Sequence, residues 1–88
     1  MKTLVMILKL LAGRGLDYKV SVTGEDEILV ARQQKDGTWI NLIVDEEGDI
    51  ELMRIPTDWS KSENKLYHSP TKGDIVEITD LFATDTNK

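Results

Sequence analysis

The chain has 88 residues, no cysteine and a net charge of −5 from 16 acidic and 11 basic side chains. A chain of this length supports one hydrophobic core, so we expect a single domain. The missing cysteines exclude a disulfide framework and a cysteine-ligated zinc site. The acidic balance disfavours sequence-independent binding to DNA or RNA, which normally requires a basic surface. A small domain without disulfides fits a reducing compartment, and we predict a cytoplasmic location.

Residues 3–12 predict a helix that packs on a sheet. At 100° per residue, four apolar side chains fall on one face, namely Leu4, Ile7, Leu8 and Leu11. Lys9 interrupts the apolar run, and the run is too short to span a bilayer, so we predict neither a signal peptide nor a membrane segment. In an alternative interpretation, a second face of the helix, through Val5 and Ala12, docks on another subunit and forms a homodimer.

The segment from Leu16 to Ile55 predicts four consecutive antiparallel strands joined by short turns. These strands cover residues 16–23, 27–34, 38–45 and 49–55. The first strand shows the period-two alternation of a half-buried strand, with one apolar face formed by Leu16, Tyr18, Val20 and Val22. The third strand is apolar on both faces, with Trp39 on one of them, so we expect it to be a central core strand.

The remainder of the chain predicts further short elements. Residues 57–65 read as a polar loop with one helical turn, residues 66–69 as an edge strand and residues 74–79 as a last strand. The domain therefore covers residues 1–82, and residues 83–88 form a flexible C-terminal tail. The predicted fold class is α+β, an N-terminal helix packed on an antiparallel β-meander of five or six strands.

The alternative fold is a small Sm/SH3-like barrel with an N-terminal helix. A helix followed by five strands is the order found in Sm-like barrels, and Lys72–Val76 is similar to strand entries of SH3-like barrels. This resemblance implies a nucleic-acid-binding or assembly subunit. The acidic balance of the chain departs from that of the RNA-binding members.

Acidic side chains concentrate in the first and third predicted turns. In an up-and-down meander these turns lie at the same end of the sheet, because successive strands alternate in direction. We call this end the acidic pole, and its residues are Glu25, Asp26, Glu27, Asp45, Glu46, Glu47 and Asp49. We predict that the acidic pole docks on a basic surface of a larger protein. The alternative is that these solvated turns carry charge for solubility alone.

Trp59 is the aromatic residue that we expect to be exposed. It stands between Asp58 and Ser60 in polar sequence. Tryptophan is enriched among the residues that dominate binding energies, so we predict that Trp59 anchors the same partner. The alternative is a loop tryptophan folded over the end of the sheet.

The sequence contains no pattern that predicts catalysis, a metal site or a cofactor. His68 is the only histidine, and no cysteine is present to act as a nucleophile. Asp45, Glu47 and Asp49 have the spacing of the first ligands in a calcium loop of the EF-hand type. However, Ile50 replaces the required glycine and Pro56 replaces the bidentate acid.

We therefore predict a non-enzymatic protein-binding module. Its expected form is a small acidic inhibitor or regulator of the kind that phages and mobile elements encode, for example against host defences. The expected partner is a larger protein with a basic patch, and we expect no cofactor, no membrane association and no direct binding to nucleic acid. The alternative function is a small-barrel nucleic-acid-binding or assembly subunit.

Overall fold

A computed structural model of the chain describes residues 2–24 and 26–84. The elements are helix α1 (Lys2–Leu11), strands β1 (Lys19–Val22), β2 (Glu27–Gln33), β3 (Trp39–Asp45), β4 (Ile50–Ile55) and β5 (Glu63–Tyr67), and helix α2 (Lys72–Ala83). The strands form one antiparallel sheet in the order β1-β2-β3-β4-β5, with β3 at its centre. This arrangement confirms the α+β meander. The barrel alternative is wrong, because the sheet is open, with β1 and β5 at opposite edges.

The predicted strand at residues 74–79 is wrong, because this segment lies within α2. Thr71 Oγ1 accepts the N–H of Asp74 at 3.1 Å, and Asp74 Oδ2 accepts the N–H of Thr71 at 3.0 Å. This reciprocal capping box satisfies two backbone donors at the start of the helix. Ile75, Ile78 and Phe82 then follow at helical spacing and are buried. Lys72–Val76, which resembles a barrel strand in sequence, is therefore the first part of a helix.

Two buried polar side chains hold the C-terminal end of α2. Arg32 Nη2 donates to the carbonyl of Ala83 at 3.3 Å, and Gln34 Nε2 donates to the carbonyl of Thr84 at 3.0 Å. These carbonyls belong to the group that a helix leaves unpaired at its end, and the cation of Arg32 faces the negative end of the helix dipole. The predicted flexible tail begins at residue 83, but Ala83 is still part of α2. Residues 85–88 lie outside the described residues.

Both helices lie on one face of the sheet and run in the same direction. The start of α1 lies against the β3–β4 turn, where a Cβ atom added at Gly48 would be 2.9 Å from Thr3 Oγ1. α2 begins at the same end, after β5, and Arg14 just beyond α1 forms an ion pair with Asp80 of α2. The core between helices and sheet consists of Ile7, Leu11, Val30, Ile40, Leu42, Val44, Ile50, Ile75, Ile78 and Phe82.

The helices cover the central strands and leave β1 at the margin. Val20 and Val22 pair with Val30 and Ile28 on the helix side of the sheet, yet they remain 49% and 70% exposed. The predicted buried face of this strand is therefore wrong at these two residues. Tyr18, just before β1, does pack on the core, through an edge-on contact with Phe82.

Candidate functional site

The two acidic turns lie at the same end of the sheet, as the meander predicts. Glu27 at the start of β2 pairs directly with Asp45 at the end of β3. Like charges that are directly opposite on neighbouring strands repel and destabilise the sheet. The exposed members of the acidic pole are Asp26, Glu27, Glu46 and Glu47, whereas Asp45 and Asp49 are half-buried. Glu25 lies outside the described residues.

The half-buried members of the acidic pole stabilise its turns. Asp45 Oδ1 accepts the N–H groups of Glu47 and Asp49, each at 3.0 Å. Asp49 Oδ1 accepts the N–H of Ser69 at 2.8 Å, and its Oδ2 lies 3.0 Å from His68 Nδ1. The hydrogen bond from Ser69 is the main cause that lowers the pKa of Asp49, and His68 adds to it. The exposed carboxylates are therefore the members of the acidic pole that are most accessible from solvent.

The acidic pole also lies at the end of the sheet where both helices begin. Negative charge near a helix N-terminus is favourable, typically by about 0.3–1 kcal/mol per group. Lys2 and Lys72, at the first positions of the helices, place positive charge at this end as well. Acidic side chains, helix N-termini and two lysines are therefore grouped at one end of the molecule.

No described element covers the face of the sheet opposite the helices, which we call the uncovered face. The register places Leu29 opposite Ile43 and Trp39 opposite Ile55 on this face. Its apolar members are Leu29, Ala31, Trp39, Ile43, Met53, Ile55 and Leu66. Trp39 is 37% exposed and Leu66 73% exposed, while the others are half-buried. The result is an apolar strip across the three central strands, in which Asn41 lies between Ala31 and Met53, while Glu51 separates Ile43 from Leu66 on β5.

The uncovered face and the acidic pole form one continuous surface. Glu27 and Asp45 are each an even number of residues from the apolar side chains of their own strand that lie on the uncovered face. They therefore lie on the same face, at its acidic end. Trp39 stands at the other end of β3, about 20 Å from Asp45 at the usual strand rise. Glu51 lies between them and accepts a hydrogen bond from Asn64 Nδ2 at 2.7 Å.

Trp59 is 77% exposed, as its polar neighbours predict. It begins a short 3₁₀ turn, Trp59–Lys61, between β4 and β5, at the end of the sheet remote from the acidic pole. Trp59 and the acidic side chains therefore do not form one cluster. Trp39, which the sequence assigned to the core, lies on the surface that joins the two ends.

Sequence reasoning missed the uncovered face. The pattern showed that β3 is apolar on both faces, and the structure confirms that β3 is central. Only one covering helix was predicted, and a single helix cannot bury both faces of a sheet. That mismatch was the signal that one apolar face would remain exposed.

Metal-binding clusters and membrane-spanning helices are absent from the part of the chain that the structure describes. Within residues 2–24 and 26–84, no three or more His, Cys, Asp or Glu side chains are placed to hold a metal ion. No helix in this part of the chain is both long and apolar enough to cross a membrane. His68 is 86% exposed and its ring faces Asp49.

Comparisons with known proteins give no further guide. No protein-family model matches the chain, and searches of curated proteins and of solved structures also return no match.

Proposed function

We propose that this protein is a non-enzymatic protein-binding module whose interface is the uncovered face together with the acidic pole. The observation that carries the proposal is the apolar strip on the uncovered face. The strip spans three strands and about 13 Å of their length, from Trp39 to Ile43 on β3, which corresponds to roughly 200 Å². Exposed apolar side chains that cluster within a polar border are typical of interaction sites, and here the border carries Glu27, Asp45 and Glu51.

The proposed partner is a larger protein that presents an apolar patch bordered by basic residues. A lysine or arginine between Glu27 and Asp45 would relieve their repulsion and pair with both carboxylates. Asp26, Glu46 and Glu47 would extend the negative field and steer the encounter. The apolar centre would provide affinity, while the acidic end would select partners by charge.

We further propose that binding is itself the activity, carried out in the cytoplasm. The protein would act as an inhibitor or regulator by covering a basic site on its partner, as small proteins of phages and mobile elements do. This proposal is consistent with the surroundings of His68, whose ring faces the carboxylate of Asp49, a group that also accepts the N–H of Ser69. The alternative, a small-barrel nucleic-acid-binding subunit, requires a closed barrel, whereas the sheet of this protein is open. The acidic pole would also repel the phosphates of a nucleic acid.

The test is a capture experiment with the tagged full chain in extracts of the source cell, followed by affinity measurements on the purified protein that it retains. The charge variant is Glu46→Gln/Glu47→Gln, which leaves the turn-forming carboxylates unchanged. The face variant is Met53→Ser. The matched control is Glu63→Gln, which removes an exposed carboxylate on the helix side of the sheet, outside the acidic pole.

We expect the charge variant to bind at least about tenfold more weakly at low salt and to show a smaller salt dependence. The face variant should bind more weakly at every salt concentration, because it loses apolar contact area. The control should retain the wild-type affinity. Equal affinity of all four proteins would refute the proposed interface, and retention of DNA or RNA in place of a protein would refute the proposed partner.

A further inference from the structure

The outward sides of the two helices carry opposite charges around apolar side chains. α1 presents Lys2, Val5, Met6 and Lys9, which line a shallow hollow of about 470 Å³. α2 has a second hollow of about 380 Å³, lined by Gly73, Val76, Glu77, Asp80, Leu81 and Thr84. The apolar side chains are open to solvent, with Val5 49%, Val76 42% and Leu81 46% exposed.

We infer that this helical surface binds a second copy of the chain. The surface is complementary to itself where Lys9 of α1 matches Glu77 of α2, whereas Lys2 and Lys72 lie together at the helix starts. A two-fold axis parallel to the helices places α1 of each copy on α2 of the other and keeps both running in the same direction. Such an isologous contact forms every favourable pair twice.

The Arg14–Asp80 ion pair fixes which residues face each other in this dimer. The ion pair places the end of α1 at the same height along the helix axes as Asp80. Lys9 lies less than two turns before Arg14, so it is at the height of the turn of α2 that contains Glu77. The two-fold operation preserves these levels. Lys9 of each copy therefore meets Glu77 of the other, and Val5 meets Gly73, less than one turn before Val76.

Charge excludes the other simple arrangement. A two-fold axis across the helices would place α1 on α1, with the lysines of one copy facing the lysines of the other, and α2 on α2, with Glu77 facing acidic side chains. Like charges that face each other across an interface are unfavourable. The uncovered face is also a poor site for a second copy, because its acidic side chains outnumber Lys19, the basic residue that β1 places on it.

The size of the surface predicts a weak dimer. Helices of 10 and 12 residues are about 15 and 18 Å long and pack roughly 10 Å apart. The footprint is then roughly 300–350 Å² per copy, below the usual range of stable protein interfaces. This inference does not depend on the proposed function, since the uncovered face remains free in the dimer.

The experiment is sedimentation equilibrium of the full chain from about 10 μM to about 1 mM, a range suited to a weak complex. Lys9→Glu and Glu77→Lys should each weaken dimerisation at least about fivefold, because each places like charges opposite one another twice. An equimolar mixture of the two variants should form a heterodimer, since both contacts then join opposite charges. This recovery also establishes that both variant chains are folded.

Three results would overturn the inference. The first is a wild-type chain that stays monomeric across the range. The second is a Lys9→Glu chain that dimerises as well as or better than the wild type, which would indicate contact of α1 with α1. The third is loss of the dimer on Met53→Ser, which would place the contact on the uncovered face.

Discussion

Neighbouring carboxylates of the acidic pole differ in function, and Asp49 is one that stabilises the fold. We predict that Asp49→Asn lowers the thermal denaturation midpoint at pH 7, because the ionised carboxylate accepts the N–H of Ser69 and lies beside His68. The pKa of Asp49 in the folded protein is below its ordinary value. Its stabilising effect is therefore fully present above the unfolded-state pKa of about 3.9 and is lost as the pH falls through the folded-state pKa.

Circular dichroism melts at a series of pH values provide the measurement. The difference in midpoint between wild type and Asp49→Asn should be present at neutral pH and should close in the acid range. The control is Asp17→Asn, an exposed carboxylate outside this turn, and its midpoint should stay near the wild-type value throughout. A difference for Asp49→Asn that persists unchanged below the folded-state pKa would contradict the role given to the charge.

The sequence predicts where these acidic side chains lie but only partly what each one does. The meander brings both turns to one end whatever the side chains are. An aspartate at the start of a turn often accepts backbone N–H groups two or more residues ahead, and Asp45 does so. The hydrogen bond that the Ser69 N–H donates to Asp49 joins residues 20 positions apart, so no local pattern could reveal it.

Among the elements, α2 is the one that local propensity misidentified. Ile75, Val76, Ile78 and Thr79 are β-branched and favour strands. The helical signals were nevertheless present, since Thr71 and Asp74 have the spacing of a capping box and Phe82 continues the helical period. Burial of one helical face on the sheet outweighs the preference of the individual residues.

The capping box of α2 supplies the next prediction. Thr71→Ala should lower the free energy of unfolding by about 1 kcal/mol, because the N–H of Asp74 loses its acceptor. Thr71→Ser keeps the hydroxyl and should retain most of the stability. Urea denaturation of the three proteins measures the effect, and a Thr71→Ala chain as stable as the Ser variant would show that the cap contributes little.

The strands themselves were predictable because their turns have clear sequence signatures. Gly37 and Gly48 adopt positive φ values of 91° and 89°, which glycine accommodates readily. The burial of each strand was less predictable. Val20 and Val22 fit a half-buried strand, but their exposure depends on where the helices lie, and a strand pattern carries no information on that placement.

At the scale of the whole molecule, the sheet separates a face that stabilises the fold from a face available for binding. Both helices lie on the same side, so the apolar residues on the two faces of β3 have different surroundings. Leu42 is fully buried beneath the helices, whereas Ile43, the next residue, is half-buried on the uncovered face. The sequence shows the two apolar faces but does not show which one is covered.

This separation predicts that stability and partner binding respond to different substitutions. Leu42→Ala removes a fully buried side chain and should cost about 2–5 kcal/mol, a large part of the total for a domain of this size. Met53→Ala acts on the half-exposed face and should cost less than about 1 kcal/mol. Urea denaturation tests both values.

The affinity for the captured partner should show the opposite order. Measured under conditions in which both variants are folded, Met53→Ala should bind more weakly, while Leu42→Ala should bind like the wild type. A Met53→Ala chain that loses as much stability as Leu42→Ala would mean that the second face is part of the core. The apolar strip would then be explained by folding alone, because its side chains would be needed to hold the sheet together.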